Sequence, residues 1–404
     1  MNEKSKFGAE SWVVFFSLAI ILSIISQVNN DSVVLWSRPA SYVVWFTCFV
    51  ILLNRNRYSL AISKEMKYFI IVYSLFIIYY LFSLFLNKDF VNSNYILPLS
   101  ISFFCYCNGS LLYASKAWSE KKLKFLLIIY VISVSLLALQ IHITFFPSFS
   151  TWTQSLVYLY SRKNSAGQII CMSILIILYA QFYKKNTIVK WGHVAYLSLV
   201  LFLIQSRASV ISLVFSVIMM ELLVKKKNRM KKIVCLLGFI IILYNTPLRY
   251  FFDKVFLLSK YQGTDLNTFS SGRLGLWAQA FSLFRESPFL GVGNHYVDNF
   301  FIGFLTEYGI IGFIIVVPFI FYKLIRVISI SLRKKSIESV NSNYGMLITS
   351  ISFFYIMESI FEAIPPLGPG VCAFLFWLLL GFADARLGSK TRDINFLYFS
   401  TIKN

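Results

Sequence analysis

Long apolar runs make up most of the chain, and polar residues are concentrated in the segments between them. Runs occur near residues 12–28, 33–53, 67–86, 95–115, 123–146, 165–183, 191–205, 207–224, 232–247, 298–322, 343–363 and 367–384. Most approach the roughly 20 residues that an α-helix needs to cross about 30 Å of hydrocarbon. The shorter, alternating strands of a membrane barrel are not found in the sequence. We therefore predict an all-α polytopic integral membrane protein, with about twelve transmembrane helices in a single domain over residues 1–404.

The composition agrees with this pattern. Hydrophobic residues make up 58% of the chain and charged residues only 14%, and the mean hydropathy is +0.70. A soluble domain usually carries about 25% charged residues. The net charge of +21 raises the question of nucleic acid. However, the basic residues form short clusters between apolar runs, and no RNA- or DNA-binding motif accompanies them. We therefore expect membrane lipid around the protein and no nucleic-acid partner.

The distribution of lysine and arginine predicts the orientation. With the N-terminus inside, the cytoplasmic segments hold 28 of the 38 basic residues, as the positive-inside rule requires. Both termini are then cytoplasmic. The ten basic residues of the outer segments are Arg38, Lys88, Arg162, Lys163, Arg207, Arg249, Lys254, Lys260, Arg273 and Arg285.

The largest outer loop, residues 248–297, separates predicted spans nine and ten. An amphipathic helix is predicted near 272–286, because apolar residues recur there at helical spacing, namely Leu274, Trp277, Phe281 and Phe284. Ser271 is the predicted N-cap, and Pro288 with Gly291 should end the element.

Three outer sites place cations at or beside the start of a predicted helix. They are Arg162-Lys163-Asn164-Ser165, Ser206-Arg207 and Ser270-Ser271-Gly272-Arg273. A cation in that position opposes the helix dipole and costs up to about 1 kcal/mol. The sign reverses when an anion binds, because free N–H groups and the side-chain cation then act on the same charge. We favour an anionic ligand over the alternative that these side chains only reach toward lipid headgroups.

A second group of polar and small residues follows the amphipathic helix. It reads Gly291-Val292-Gly293-Asn294-His295-Tyr296-Val297-Asp298-Asn299. Asn299, Gly303 and Glu307 then share one helix face, extended by Thr306, which should face the bundle interior. His295 and Asp298 would lie above this face as possible proton acceptors. An alternative is that the glycines only allow close packing and that Glu307 pairs with Arg207 or Arg273.

Two further carboxylates, Glu358 and Glu362, lie one turn apart near the outer end of span eleven. They could repel phosphate, line an acceptor groove or be interfacial and inert, and the last is the default expectation. The sequence has no Walker loop, HExxH, GxSxG or cysteine metal spacing. It contains only three histidines. No metal or cofactor is therefore expected, and arginine should stabilise any anionic leaving group.

In their order and spacing, these motifs resemble the O-antigen ligase/polymerase family, the membrane glycosyltransferases of bacterial surface polysaccharide assembly. The resemblance covers roughly residues 200–320. It rests on Ser206-Arg207 opening a span, Ser271-Gly272-Arg273 before an aromatic helix, the Pro-Phe-Leu-Gly-Val-Gly turn, and Asp298-Asn299 before a run ending Glu-x-Gly-Ile-Ile-Gly. The resemblance implies glycan transfer from a polyprenyl diphosphate carrier on the outer face of the bacterial inner membrane, without a metal.

Ligases of this family usually carry His-Asn where this chain has Asp298-Asn299, which favours the Wzy-type polymerase branch. Arg207 and Arg273 would then hold the donor diphosphate, helped by Ser206, and Asp298 or His295 would accept the proton. Asn299 and Glu307 would orient the site. Arg162, Lys163 and Asn164 would bind the second carrier.

The partners implied by this resemblance are lipid-linked donor and acceptor oligosaccharides, and the sequence leaves open a chain-length regulator and a flippase as further partners. Two other functions remain alternatives. One is a ligase that transfers finished glycan to a lipid core, and the other, from a different class, is a polysaccharide flippase or permease.

Overall fold

The computed structural model describes residues 4–56, 64–86, 91, 93–115, 120–153, 160–180, 186–224, 249, 267, 270, 272–332, 342–368 and 370–400. Within these ranges every regular element is helical. The helices are α1 (Lys4–Ile25), α2 (Asp31–Asn56), α3 (Lys64–Leu86), α4 (Ile96–Ala114), α5 (Glu120–Phe145), α6 (Phe149–Thr153), α7 (Lys163–Tyr179), α8 (Thr187–Leu203), α9 (Arg207–Met219, continued by a π-helical turn, Met220–Val224), α10 (Arg273–Glu286), α11 (Phe300–Leu332), α12 (Ser342–Phe361) and α13 (Gly370–Ser400).

These helices follow the predicted apolar runs, which confirms the all-α polytopic membrane architecture. Six are long and apolar enough to cross a membrane, within Asp31–Asn54, Lys64–Leu86, Ile96–Ala114, Lys121–Phe145, Phe300–Ser331 and Tyr344–Phe361. Shorter apolar helices occupy Trp12–Ile25, Lys163–Tyr179 and Thr187–Leu203. Predicted span nine, residues 232–247, and most of the loop 248–271 lie outside the described residues.

Helices α4 and α13 pack backbone against backbone near the middle of the fold. A Cβ atom added at Gly109 would overlap the Leu378 carbonyl oxygen, and one added at Gly381 would overlap the Tyr106 carbonyl oxygen. Small residues permit this approach, which is how helices associate where lipid supplies no hydrophobic driving force. The pair forms part of a core that includes the fully buried Trp377.

A buried ion network joins α3, α11 and α13. The Lys323 ammonium lies 2.8 Å from Glu65 Oε2 and 2.8 Å from Asp384 Oδ2, and the Lys323 side chain is fully buried. Arg326 Nη1 lies 2.6 Å from Glu65 Oε2. Two cations and two carboxylates balance each other, which is the condition under which buried charge is tolerated. The network holds the far end of α11, about 23 residues beyond its start.

Helix α11 is broken at Gly309, where φ is +61° and ψ is −171°. The break releases the hydrogen bonds that would join the carbonyls of residues 306 and 307 to the N–H groups of residues 310 and 311. The segment 288–293 replaces all four partners. The bonds are Val292 N to Thr306 O (3.0 Å), Gly293 N to Glu307 O (3.2 Å), Ile310 N to Pro288 O (2.9 Å) and Ile311 N to Phe289 O (3.4 Å).

Two glycines allow this docking. A Cβ at Gly291 would overlap the Glu307 carbonyl, and one at Gly309 would overlap the Phe289 carbonyl. The Tyr79 hydroxyl lies 2.6 Å from the Tyr308 carbonyl and 2.9 Å from the Leu290 carbonyl, so it joins the two segments. The Pro-Phe-Leu-Gly-Val-Gly motif is therefore the backbone partner of a broken helix, and it fixes the position of the polar residues that follow it.

Replacing Gly309 with alanine should destabilise the protein. The backbone conformation costs a non-glycine residue about 1–3 kcal/mol, and the overlap with Phe289 adds to this. The apparent unfolding temperature of the purified protein in detergent should fall by at least a few degrees. Gly192→Ala is the matched control, because a Cβ there meets nothing within 4 Å. Equal unfolding temperatures for the two variants would contradict the role of Gly309.

Candidate functional site

Helix α10 is the predicted amphipathic helix, and it packs on the start of α11. The Trp277 indole donates to the Asp298 carbonyl at 3.3 Å, and the Thr306 hydroxyl lies 3.4 Å from the Ala280 carbonyl. Ala280 is fully buried. This packing brings the helix that carries Arg273 beside the segment that carries Asp298.

The predicted N-cap of α10 is wrong by one residue. Ser271 lies outside the described residues, and the residue preceding the helix is Gly272, with φ at +82°. The Ser270 hydroxyl accepts a hydrogen bond from the Leu274 amide at 3.3 Å instead. The Asn267 side chain accepts a second bond, from the Gly275 amide, at 2.8 Å. The local sequence pattern does not predict a left-handed glycine before the first helical residue. Nor does it predict that residues further upstream cap the helix.

The three predicted cation sites begin helices, as expected, because α7 starts at Lys163, α9 at Arg207 and α10 at Arg273. Two of these sites come together at Glu362. Arg273 Nη2 lies 3.1 Å from Glu362 Oε1, and Asn164 Nδ2 donates to the same oxygen at 2.9 Å. Arg207 and Arg273 both lie close enough to Lys163 for their charges to lower its pKa. Arg273 thus pairs with Glu362, Lys163 lies near both, and Arg207 lies near Lys163.

Glu362 follows the last residue of α12 and is only 6% exposed. Burial raises the pKa of its carboxyl to about 8, and the neighbouring Glu358 adds to the rise, while Arg273 opposes it. The pKa of Lys163, the first residue of α7, shifts in the opposite direction. Burial, followed by the charge of Arg207, lowers the pKa of Lys163 to about 8. Both groups therefore change charge near the same pH.

Asp298 lies on the other side of Arg273, at 3.5 Å between Oδ2 and Nε. Its side chain is 23% exposed, so it is accessible to solvent. The next residue, Asn299, fixes the local backbone: its Oδ1 accepts from the Ile302 amide at 3.0 Å and its Nδ2 donates to the Ile360 carbonyl at 3.0 Å. Asn299 thus caps α11 and attaches it to α12 just before Glu362, which places Asp298 and Glu362 around one guanidinium.

A polar layer lies below these charges, inside the helix bundle. The Ser206 hydroxyl lies 3.0 Å from that of Ser209, which donates to Glu358 Oε1 at 3.1 Å. A Cβ added at Gly167 would overlap the Ser206 hydroxyl, so glycine at that position allows α7 to approach α9. Glu358 is fully buried. The default expectation that Glu358 and Glu362 are interfacial is therefore wrong, since α12 turns both into the bundle.

Glu307 is buried, as its helix face predicts, but it lies apart from the arginines. Its Oε1 accepts from the Asn94 amide at 3.1 Å and its Oε2 from Asn94 Nδ2 at 3.2 Å. The alternative in which Glu307 pairs with Arg207 or Arg273 is wrong. Asn94 also donates to Asn294 Oδ1 at 2.9 Å. Glu307 therefore holds the segment before α4 against the segment that leads to Asp298.

The remaining predicted residues lie at the edge of the cluster. Arg162 Nη2 pairs with Asp31 Oδ1 at 2.9 Å, at the start of α2, and the Asp31 side chain is almost fully exposed. His295 is half-buried three residues before Asp298, and its Nε2 atom is buried without a hydrogen-bond partner. In the described part of the chain, no three His, Cys, Asp or Glu residues come close enough together to hold a metal ion.

Sequence reasoning undervalued Glu362, which the structure places at the centre of the cluster. A usable signal was present: two carboxylates one turn apart at the end of an apolar helix are expensive unless they face partners inside the bundle. The partners themselves, Asn164 and Arg273, lie far from Glu362 in the chain, so their identity could not be read from local spacing.

A comparison with protein families matches residues 192–317 to the family described as O-antigen ligase. The matched segment runs from α8 to the middle of α11 and contains Arg207, Arg273 and Asp298. A search of curated proteins found no match. The family supports a ligase/polymerase-type membrane enzyme and gives no support to a flippase or permease, but it does not separate polymerase from ligase. Residues 192–317 of this integral membrane protein thus match the model of the O-antigen ligase family, which agrees with the resemblance carried by the motifs.

Proposed function

We propose that this protein is a polysaccharide repeat-unit polymerase of the bacterial inner membrane. It transfers a growing glycan from its polyprenyl diphosphate carrier to a single carrier-linked repeat on the outer face, with both termini in the cytoplasm. The observation that supports this most directly is the position of Arg273, between the accessible carboxylate Asp298 and the cluster formed with Asn164 and Glu362.

The donor diphosphate is the proposed ligand of Arg207 and Arg273. Both residues open helices, so the positive ends of the α9 and α10 dipoles add to their charges. Such fixed charges stabilise the negative charge that develops on a departing diphosphate, and they need no rearrangement when the reaction occurs. Lys163 and Asn164, at the start of α7, contact the second carrier in this proposal, and Arg162 contributes at the edge.

The chemical step is a direct displacement at the anomeric carbon of the donor. The acceptor hydroxyl oxygen forms a bond to that carbon as the bond from carbon to the diphosphate oxygen breaks. The hydroxyl proton passes to Asp298, and the bonding electron pair leaves on the diphosphate beside the arginines. A single displacement inverts the configuration of the anomeric carbon. His295, three residues away, is the alternative proton acceptor.

The contacts described above modify two of the predicted roles. Asn299 acts on the site by capping α11 and holding Asp298 in place, rather than by contacting substrate. Glu307 acts at a greater distance, through Asn94 and Asn294. Both are therefore proposed as positioning residues.

A ligase that transfers finished glycan to a lipid core is the second candidate, because it would use the same anion site. The carboxylate at Asp298, in place of the histidine that ligases usually carry, favours the polymerase. The test is to incubate the purified protein in detergent with carrier-linked single repeats, with and without lipid core. A ladder of carrier-linked oligomers is expected without core. Transfer that requires the core, with no ladder in its absence, would identify a ligase instead.

A further inference from the structure

Two carboxyl groups contact the guanidinium of Arg273, and their surroundings differ. Asp298 Oδ2 lies 3.5 Å from Nε, and the Asp298 side chain is accessible to solvent. Glu362 Oε1 lies 3.1 Å from Nη2, and Glu362 is buried. Where two carboxyl groups share a site, the solvated one is suited to act as a base and the buried one as an acid, because burial favours the neutral form. The proposed function uses Asp298 as the base and gives Glu362 no chemical role.

The two oxygens of Glu362 are used unequally. Arg273 Nη2 and Asn164 Nδ2 both contact Oε1, at 3.1 and 2.9 Å. Within the described part of the chain, Oε2 makes no hydrogen bond. A neutral carboxyl group can keep both contacts, because its carbonyl oxygen still accepts hydrogen bonds while the other oxygen carries the proton. The geometry therefore leaves Oε2 as the atom that holds a proton and can deliver it.

The surroundings of Glu362 favour this protonated form. Burial raises the pKa of its carboxyl to about 8, the charge of Glu358 adds to the rise, and Arg273 opposes it. Near pH 7 most Glu362 side chains are therefore neutral. The described groups whose charges act together with that of Glu362 are Lys163 on α7, Arg273 on α10, Tyr296 and Asp298 before α11, and Glu358 on α12.

The leaving group of the proposed reaction needs a proton donor. A carrier diphosphate that is esterified at both ends carries two negative charges, and breaking its bond to the anomeric carbon adds a third. Asp298 already lies beside the guanidinium that would stabilise this charge, so Arg273 compensates it only in part. A proton passed to the departing oxygen removes the additional charge. Inverting glycosidases meet the same requirement with one carboxylic acid and one carboxylate.

We propose that Glu362 is the general acid of the reaction and the catalytic partner of Asp298. The donor diphosphate lies beside Glu362 because both contact Arg273, while Asn164 holds Oε1 in place. As the bond from the anomeric carbon to the diphosphate oxygen breaks, the proton on Oε2 passes to that oxygen, and the acceptor hydroxyl proton passes to Asp298. Asp298 then releases its proton to solvent and Glu362 takes one up. This inference rests on the proposed function, which supplies the leaving group.

Glu362→Gln should lower turnover by about 10²-fold or more, because glutamine has nearly the same shape but no proton to transfer. The assay is oligomer formation from carrier-linked repeats by the purified full-length protein in detergent, with farnesyl diphosphate binding measured in parallel. Binding should be unchanged or tighter, since the variant removes a negative charge from an anion site. Glu286→Gln is the matched control, because it removes a carboxylate at the exposed end of α10.

Two results with these variants would overturn the proposal. Wild-type turnover of Glu362→Gln would show that no proton from this residue is needed. A fall in farnesyl diphosphate binding that matches the fall in turnover would show that Glu362 maintains the structure of the site and does not take part in the chemical step.

The dependence of turnover on pH tests the acid without relying on that variant. Wild-type turnover should fall as the pH rises from 7 to 9, because the protonated form of Glu362 is lost around its pKa of about 8. The donor and acceptor diphosphates, esterified at both ends, keep their charge in this range. In Glu362→Gln the remaining activity should show no such decline.

Lys163 loses its proton in the same pH range, so its contribution must be separated. Lys163→Arg does this, because a guanidinium stays charged throughout. Whatever the absolute rate of this variant, its turnover should still fall between pH 7 and 9. A decline that disappears in Lys163→Arg would identify Lys163 as the titrating group and would contradict the role of Glu362.

Failure of this inference can be distinguished from failure of the proposed function. A wild-type protein that forms no oligomer, with or without lipid core, contradicts the proposed function and with it the acid. A wild-type protein that forms oligomers at a rate independent of pH between 7 and 9 excludes only the acid, and the roles of Arg273 and Asp298 are unaffected.

Discussion

Arg273→Ala is expected to abolish polymer formation, with a loss of at least about 10²–10³-fold, the usual effect of removing one preorganised donor to a developing negative charge. The arginine contacts Asp298 at 3.5 Å and Glu362 at 3.1 Å, and its side chain is only 21% exposed. Its loss removes a proposed diphosphate contact and leaves two neighbouring carboxylates without their shared cation.

The measurement is the polysaccharide ladder from a polymerase-null strain that expresses each variant, together with the amount of protein in the membrane. Arg285→Ala is the matched control, because Arg285 lies exposed in the last turn of the same helix. Arg273→Lys should recover little activity, since a single ammonium cannot reproduce the fork of contacts made by a guanidinium. A full-length ladder from Arg273→Ala would refute the proposed mechanism.

Asp298→Asn is expected to stop chain extension while the protein remains folded in the membrane. Asparagine has nearly the same shape, and Arg273 keeps its contact with Glu362, so the site should retain its structure. The amide cannot serve as a general base, a role that contributes typically about 10²–10⁴-fold. The assay is oligomer formation by purified protein from carrier-linked repeats. Farnesyl diphosphate binding, measured in parallel, should stay within a few-fold of wild type.

His295→Gln provides the comparison, since His295 lies in the same segment and is the other candidate base. If Asp298 accepts the proton, the glutamine variant should keep most of its activity. If Asp298→Asn is fully active and His295→Gln is inactive, His295 is the proton acceptor. That result would also weaken the argument for a polymerase over a ligase.

The local sequence was sufficient to predict the helices because each apolar run must satisfy its own backbone within the membrane. Helix α11 and the amphipathic helix α10 both formed where hydropathy and periodicity placed them. The local sequence also predicted that helices start at or beside Lys163, Arg207 and Arg273, since a helix boundary depends mainly on neighbouring residues. The burial of Glu307 also followed from its position on a helix face.

What the sequence by itself determined about this protein is therefore its membrane class, its helices and the cations that begin three of them. Only the tertiary structure decided that Arg273 pairs with Glu362 beside Lys163 and that Glu307 is held by Asn94. It also decided that the Pro-Phe-Leu-Gly-Val-Gly segment supplies the hydrogen-bond partners at the break in α11 at Gly309. The physical reason is that helix formation depends on residues a few positions apart, whereas these contacts join residues that are distant in the chain. Their pairing is selected by how the helices pack, which no local pattern records.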